Sequence, residues 1–458
     1  MADIIKKRII DKEFVKILES TPSSSKIWIA GLLVVIAIGL VAFVLQVING
    51  HEVTGMRDNV VWGVYIINFI FFVGISYSGA FISGILHFFD TPWKNAVSRI
   101  VEIITVLSLI IGPLFILLCI GRLDRLHYLF IYPRIQSPIT WDIIAIITDL
   151  IGCFIYLYLT FIPDFAILRD DKELNVAPWR KKVYRFLAMN YQDTPEQRTT
   201  LKKITRTMSA MIIAMAIVAY TVLAWIFSLT LQPGWNSSIF APYFIVAGLY
   251  SGVGVIIICM FAVRKFFKLG HYIRKVHFIG AGIILLVLAL LYGYFTFSEY
   301  FARWFSHKKN DMLLLDTLFS DYFWRFIFAN YIGVLIPVII LFFKRFRTIN
   351  LITFAGVIAV VGLWFNRYII VIPTLETPYL PIQDTRPEFI HYTATWIEWS
   401  LSAAGVAAFC LMFTLLVRFV PIIPVYELAE GAKNDKRKAK KKAKKNSKSE
   451  KKDTSDEN

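Results

Sequence analysis

Ten apolar runs dominate this chain, at about 26–49, 60–86, 99–121, 141–163, 208–231, 239–263, 277–297, 323–343, 350–372 and 394–420 of its 458 residues. Each is long enough for an α-helix, rising about 1.5 Å per residue, to cross roughly 30 Å of bilayer hydrocarbon. Lipid offers no partner for backbone N–H and C=O groups, so an isolated span must close its hydrogen bonds within itself, as a helix does. The fold class expected is an all-α membrane protein of about ten transmembrane helices. A mean hydropathy of +0.61 excludes an ordinary soluble domain.

The basic residues are lopsided. Of 49 Lys and Arg, 39 fall at the N-terminus, in every second connection and at the C-terminus, and ten on the other side. The positive-inside rule then puts both termini of a multi-pass membrane protein in the cytoplasm. The net charge of +17 is explained by these loops and needs no nucleic acid as a partner. Residues 1–25 place Ile4, Ile5, Ile9, Phe14, Ile17 and Leu18 among lysines, the pattern of an amphipathic helix on the membrane surface. No cleavable signal peptide is expected before the first span, at 26–59 with its loop. The tail 429–458 is lysine-rich, of low complexity and expected to be disordered, anchoring topology or meeting anionic lipid.

Cys119, Cys153, Cys259 and Cys410 all lie in apolar runs, and no CxxC or Cys/His cluster exists. None of the seven histidines lies mid-span. The expectation is that this chain itself binds no haem, Fe–S cluster or other metal. Hydrolase and nucleotide-binding motifs are also missing.

One echo runs through the chain: Gly74-x-x-Tyr77-Ser78-Gly79 in span 2 and Gly248-x-Tyr250-Ser251-Gly252 in span 6. A repeat of spans 2–5 in spans 6–9 keeps the same orientation. Two ordinary helix-packing patches explain the echo equally well.

Ionisable groups within a membrane are costly and generally functional. Asp142 and Asp149 in span 4 are seven residues apart, so they share a helix face about 10 Å apart. With Glu102 in span 3 they form a candidate proton relay. Asp142 taken alone also reads as a cap on a helix starting at Trp141. On the sparsely basic side, Arg122 and Arg134 are candidate donors to a ligand or partner subunit. Tyr128 and Tyr132 beside them read more simply as interfacial aromatics. Glu299, Arg367 and Glu398 are candidates for an intramembrane polar network in the second bundle of helices, serving either as a proton path or as a structural salt bridge.

Several strings resemble one family. They are PGWNSSIFAPYFIVAGLYSG at 233–252, SEYFARWF at 298–305, LWFNRYIIVIPTL at 363–375, YTATWIEWSLSAAG at 392–405, RFVPIIPVYEL at 418–428, IQSPITWD at 135–142 and IPDFAILRD at 162–170. The chain resembles the NrfD/PsrC-like polytopic membrane subunits, and among them the ActC type of alternative complex III. The resemblance implies two four-helix bundles, here 60–231 with a long cytoplasmic loop at 164–207, and 239–372, with 394–428 as the tenth helix and an interface segment.

It also implies a menaquinone/quinol site in the first bundle near the outer face, where an extracytoplasmic ferredoxin-like Fe–S subunit takes the electrons. Multihaem cytochrome c subunits and other membrane subunits, an NrfD-like paralogue among them, are further implied partners. Asp142 matches the family's acidic position as the proton acceptor, and Tyr77 and Arg122 are placed to orient the ring. The chain departs from the family pattern at Cys119, Ile226 and Asn236, and at Tyr77, where histidine is frequent. Three functions stay open. The first is a quinol-interacting subunit of a respiratory oxidoreductase. The second is an anchor or proton-conducting subunit with no quinol site. A secondary transporter, which needs paired broken helices at mid-membrane, is a distant third.

Overall fold

The computed structural model describes residues 17–19, 22–89, 94–171, 174–378, 386, 389 and 391–424. The amphipathic segment expected at 1–25 falls mostly outside these residues, and the tail at 429–458 entirely so. The ten spans are all helices, numbered here α1 Ser23–Asn49, α2 Gly63–Phe88, α3 Lys94–Cys119, α4 Pro138–Asp170, α5 Pro195–Ser228, α6 Phe240–Phe266, α7 Lys275–Ser306, α8 Phe323–Phe342, α9 Ile349–Glu376 and α10 Trp396–Phe419. No strand occurs among the described residues. This is an all-α, multi-pass membrane protein.

Two helices run further than their apolar cores suggest. The segment expected as a loop at 164–207 is largely helical: α4 continues to Asp170, α5 begins at Pro195, and a helix spans Pro178–Leu187 between them. The reason is local chemistry. Pro195 sits at the first turn of α5, and the Thr194 side chain caps it by accepting from the Gln197 N–H. The charged first turns of α5 therefore stay helical beyond the hydrocarbon.

Helices α2–α5 pack as one four-helix group and α6–α9 as a second, joined chiefly where α6 lies against α2. The last helix pairs with the first, and this pair rests on the flank of α2 and α3. The crossing of α2 and α6 is the sequence echo made physical. A Cβ on Gly252 would lie 2.2 Å from the Ser78 Cβ, so the backbones approach as only small residues allow. In α8 a π-helical turn at Phe328–Ile332 precedes Gly333, whose carbonyl accepts from the Tyr250 hydroxyl at 2.7 Å.

On the basic side, Arg180 ties three chain segments together. It donates to the carbonyls of Leu18, Arg418 and Phe419 and to the Tyr184 hydroxyl. The N-terminus, the connection between α4 and α5 and the end of α10 thus share one face, as their shared positive charge requires.

Candidate functional site

The helix α4 turns one narrow stripe inward and leaves its other faces to lipid. The stripe is Asp142, Ile146, Asp149, Cys153 and Tyr156, all buried, at the alternating spacings of four and three that define a helix face. Ile144, Ile147, Ile151, Phe154 and Ile155 around it are exposed. The seven-residue spacing of the two aspartates thus does put both on one buried face. Asp142 does not cap the helix. The first helical residue is Pro138, so Asp142 stands a full turn inside, 4% exposed.

Three buried polar atoms converge here without a hydrogen-bond partner among the described residues: Asp142 Oδ1, Asp149 Oδ2 and the Tyr77 hydroxyl. Tyr77, from α2, lies within electrostatic reach of both aspartates and packs on the Tyr220 ring at 5.4 Å. Unpaired buried polar groups are costly, and native proteins tolerate them mainly where function needs them.

Below this cluster the polar stripe continues towards the basic face. Asp149 Oδ1 accepts from the Cys153 thiol at 3.6 Å. A small cavity bounded by Cys153, Ser83, Tyr156 and Glu102 follows. Glu102, buried on α3, accepts from Thr160 at 2.7 Å and Ser83 at 3.2 Å and lies 3.7 Å from His87. The Tyr156 hydroxyl meets His87 Nδ1 at 2.8 Å. Asp164 ends the column in a buried pair with Arg99 at 2.8 Å, the guanidinium lying 3.9 Å above the Phe161 ring. From Asp142 to Asp164 is 22 residues, about 33 Å at helical rise, which is the thickness of the hydrocarbon itself.

Asp149 and Glu102 thus face one polar stripe, with Cys153 and the cavity between them, and the structure adds Ser83, His87, Tyr156 and Thr160. Tyr156 has a legible signal: it stands seven residues beyond Asp149, as Asp149 stands beyond Asp142. His87, at the end of a span, has none.

Two other expectations meet a different arrangement. Arg122 does not stand beside a ring site. Its side chain is 64% exposed, in the connection between α3 and α4, and it pairs with Asp124 at 3.0 Å. That hydrogen bond holds the Asp124 carboxyl below its ordinary range and raises the Arg122 guanidinium in turn. Arg134 is exposed in the same connection. Nor do Glu299, Arg367 and Glu398 form one network. Glu299 pairs with Arg303 and accepts from Ser237 at 2.8 Å. Glu398 is spent at the start of α10, where it accepts from the Gly55 and Thr395 N–H groups and, at 2.5 Å, from the Tyr392 hydroxyl. Arg367 bonds Tyr220 and Asn366. The three have separate surroundings, and no described hydrogen bond or ion pair joins them.

Of the positions that depart from the family pattern, Cys119 donates to the Phe115 carbonyl at 3.4 Å and the Trp62 carbonyl at 3.7 Å. Asn236 is exposed, next to Trp235, which stacks on Trp62 at 6.4 Å. His51 presents a buried, unpartnered Nδ1.

Residues 52–378 match the family model for the polysulphide reductase NrfD. The chain belongs to the NrfD family. Three relatives carry the likeness over most of their lengths. A protein of Halobacterium salinarum, named for the membrane component of a dimethyl sulfoxide reductase, is 26% identical, covering 76% of this chain and 77% of that protein. The C subunit of the selenate reductase of Mesobacillus selenatarsenatis is 21% identical, over 87% and 94%. The Hdr-like menaquinol oxidoreductase integral membrane subunit of Archaeoglobus fulgidus is 23% identical, over 84% and 90%. These NrfD relatives are membrane subunits of multisubunit reductases and quinol oxidoreductases. The family match spans α2 to α9, so both helix groups belong to the NrfD unit, and α1 and α10 flank it.

Proposed function

We propose that this NrfD-family chain is the quinone-interacting subunit of a multisubunit respiratory oxidoreductase. In this reading it exchanges electrons between menaquinol and an extracytoplasmic Fe–S subunit, in a complex of the alternative complex III kind. The observation that carries it is the trio Tyr77, Asp142 and Asp149. Each holds a buried polar atom without a described hydrogen-bond partner inside the first bundle, Tyr77 on α2 and the two aspartates on the inward stripe of α4, whose other faces are exposed.

The chemistry follows from the groups. Quinol oxidation releases two protons and two electrons. Asp142, a turn below the sparsely basic face, takes the two hydroxyl protons in succession as the O–H bonds break, handing the first on before the second arrives. Tyr77 donates to the ring oxygen and holds the ring. The electrons leave to the partner's cluster, which we place at the exposed connection carrying Arg122 and Arg134, with cytochrome and further membrane subunits beyond. Asp149, Cys153 and Glu102 carry the proton towards the basic face, the cytoplasmic one by the positive-inside rule. With the opposite redox partner the same route supplies protons for quinone reduction.

The second reading is an anchor or proton-conducting subunit with no quinol site. The line of buried polar groups from Asp142 to Asp164 favours it, since a line of this kind serves proton conduction whether or not a quinol binds. A binding titration separates the two. The complex, purified through a tag on this chain, is titrated with the quinone-site ligand 2-heptyl-4-hydroxyquinoline N-oxide, whose fluorescence is quenched on binding. Saturable binding weakened by Tyr77→Phe supports the quinone reading. Its absence in the intact complex leaves the anchor reading.

A further inference from the structure

Arg367 is the least expected residue in the molecule. It is 1% exposed, about 14 Å inside the sparsely basic end of α9 by helical rise. No carboxylate pairs with it among the described residues. Its contacts are the Tyr220 hydroxyl at 3.1 Å, the Asn366 side-chain oxygen at 3.3 Å and the Phe244 ring at 4.5 Å. A guanidinium keeps its proton in proteins, so a fixed positive charge stands unneutralised inside the membrane.

Its position explains what that charge does. On one side lies the first-bundle site: Tyr220, bonded to Arg367, packs on the ring of Tyr77, whose hydroxyl lies within electrostatic reach of Asp149. On the other side, Asn366 donates to the Tyr243 hydroxyl at 2.6 Å. Tyr243 lines a small cavity at the sparsely basic end of the second bundle, together with Gly234, Glu299, Arg303 and Leu314. Gly234 and Leu314 belong to the connections on that face, so the cavity lies next to the surface. Hydrogen bonds run from Tyr220 through the guanidinium and Asn366 to Tyr243, and the acid site meets this chain through the packing of the Tyr77 and Tyr220 rings.

A guanidinium cannot pass a proton on by giving up its own and taking another, and its field repels any cation approaching through the low-dielectric interior. We infer that Arg367 is an electrostatic seal: it closes the lateral way from the Tyr77–Asp149 site to the second-bundle cavity, so that protons of the site do not escape through that cavity to the sparsely basic face. This rests on the reading that Asp142 and Asp149 handle protons. Of the two roles the sequence leaves open for Arg367, a proton path or a structural salt bridge, it takes up neither and makes the residue a block. Two consequences follow for the neighbours. Tyr220 acts as the positioning residue that holds the guanidinium across the gap. The Glu299–Arg303 pair lies outside the seal, in contact with the cavity only.

The test is a passive leak, which needs no quinol and so stands or falls apart from the quinone reading. The intact complex is reconstituted in liposomes enclosing the pH dye pyranine. A potassium diffusion potential set with valinomycin drives proton entry. The wild type and Arg367→Lys, which keeps a cation at the site, should both be tight. Arg367→Gln should leak faster by roughly ten- to a thousandfold, the range expected when one unit of repulsion at close range is removed. A glutamine variant as tight as the wild type overturns the inference. So does a lysine variant as leaky as the glutamine one, because lost packing and not lost charge would then explain the leak.

Discussion

Gly248→Ala is the sharpest structural perturbation available, because the added methyl has nowhere to go. An ideal Cβ at this position lies 2.2 Å from Tyr220 Cε1, 2.3 Å from its hydroxyl oxygen and 2.5 Å from Cζ. Relaxed contacts of this kind sit at about 3.5–4.0 Å, so the ring must retreat by more than about 1 Å. It is hemmed in. The Tyr77 ring is 5.4 Å away, the Phe244 ring 5.3 Å, and a Cβ on Gly74 would already be 2.8 Å from the same hydroxyl. The hydroxyl is also held by Arg367 at 3.1 Å. Overpacking of a closed core costs about 1–3 kcal/mol, and losing a hydrogen bond to a charged donor about 1.5–3 kcal/mol. Together the variant should lose about 3–5 kcal/mol. Gly31→Ala is the control, since nothing lies within 4 Å of its added Cβ. The assay is unfolding of the purified complex in detergent micelles with rising sodium dodecyl sulfate, followed by tryptophan fluorescence. If Gly248→Ala unfolds within about 0.5 kcal/mol of the wild type, a scatter ordinary for sites away from such contacts, the packing argument at the α2–α6 crossing is wrong.

Three further outcomes follow from the same contacts. Asp164→Leu strips Arg99 of its buried carboxylate and should destabilise the protein by about 3–5 kcal/mol, while adding Arg99→Met to it should recover most of that loss. The same detergent titration measures both. Glu102→Gln leaves the hydrogen bonds from Thr160 and Ser83 in reach of an oxygen but removes the ionisable group, so assembly should be normal and quinol turnover slowed by about 10²-fold or more. Arg122→Ala, at a side chain 64% exposed, should leave binding of the quinone-site ligand unchanged and weaken only the hold on a partner subunit, read by co-purification.

The fold is legible because its signal is long. Twenty apolar residues in a row admit one structure in lipid, and each of the ten runs is a helix. What the runs do not show are the helix extensions at 164–170 and 195–207, where charged residues outside the hydrocarbon continue a helix begun inside it. The π-helical turn at Phe328–Ile332 has no pattern of its own in the sequence. Within one helix, spacing suffices: Asp142 and Asp149 fall on one face by their separation alone, and Tyr156 obeys the same rule. Between helices it does not suffice, since the azimuth of each helix is set by packing. Glu299, Arg367 and Glu398 carry complementary charges near one face, yet they point into three separate surroundings. Arg122 misleads for a related reason, because a connection without periodicity gives no hint of where its side chains point.

Asp142 is the group on which the proposed proton chemistry turns. The complex carrying Asp142→Asn should assemble with all its subunits, since the side chain is nearly isosteric and Asp142 Oδ1 has no described partner to lose. Electron transfer from the menaquinol analogue 2,3-dimethyl-1,4-naphthoquinol should nonetheless fall by about 10²–10⁴-fold, the usual worth of a positioned general base. Turnover at the wild-type rate in that variant would contradict the claim that the first-bundle acids take the quinol's protons.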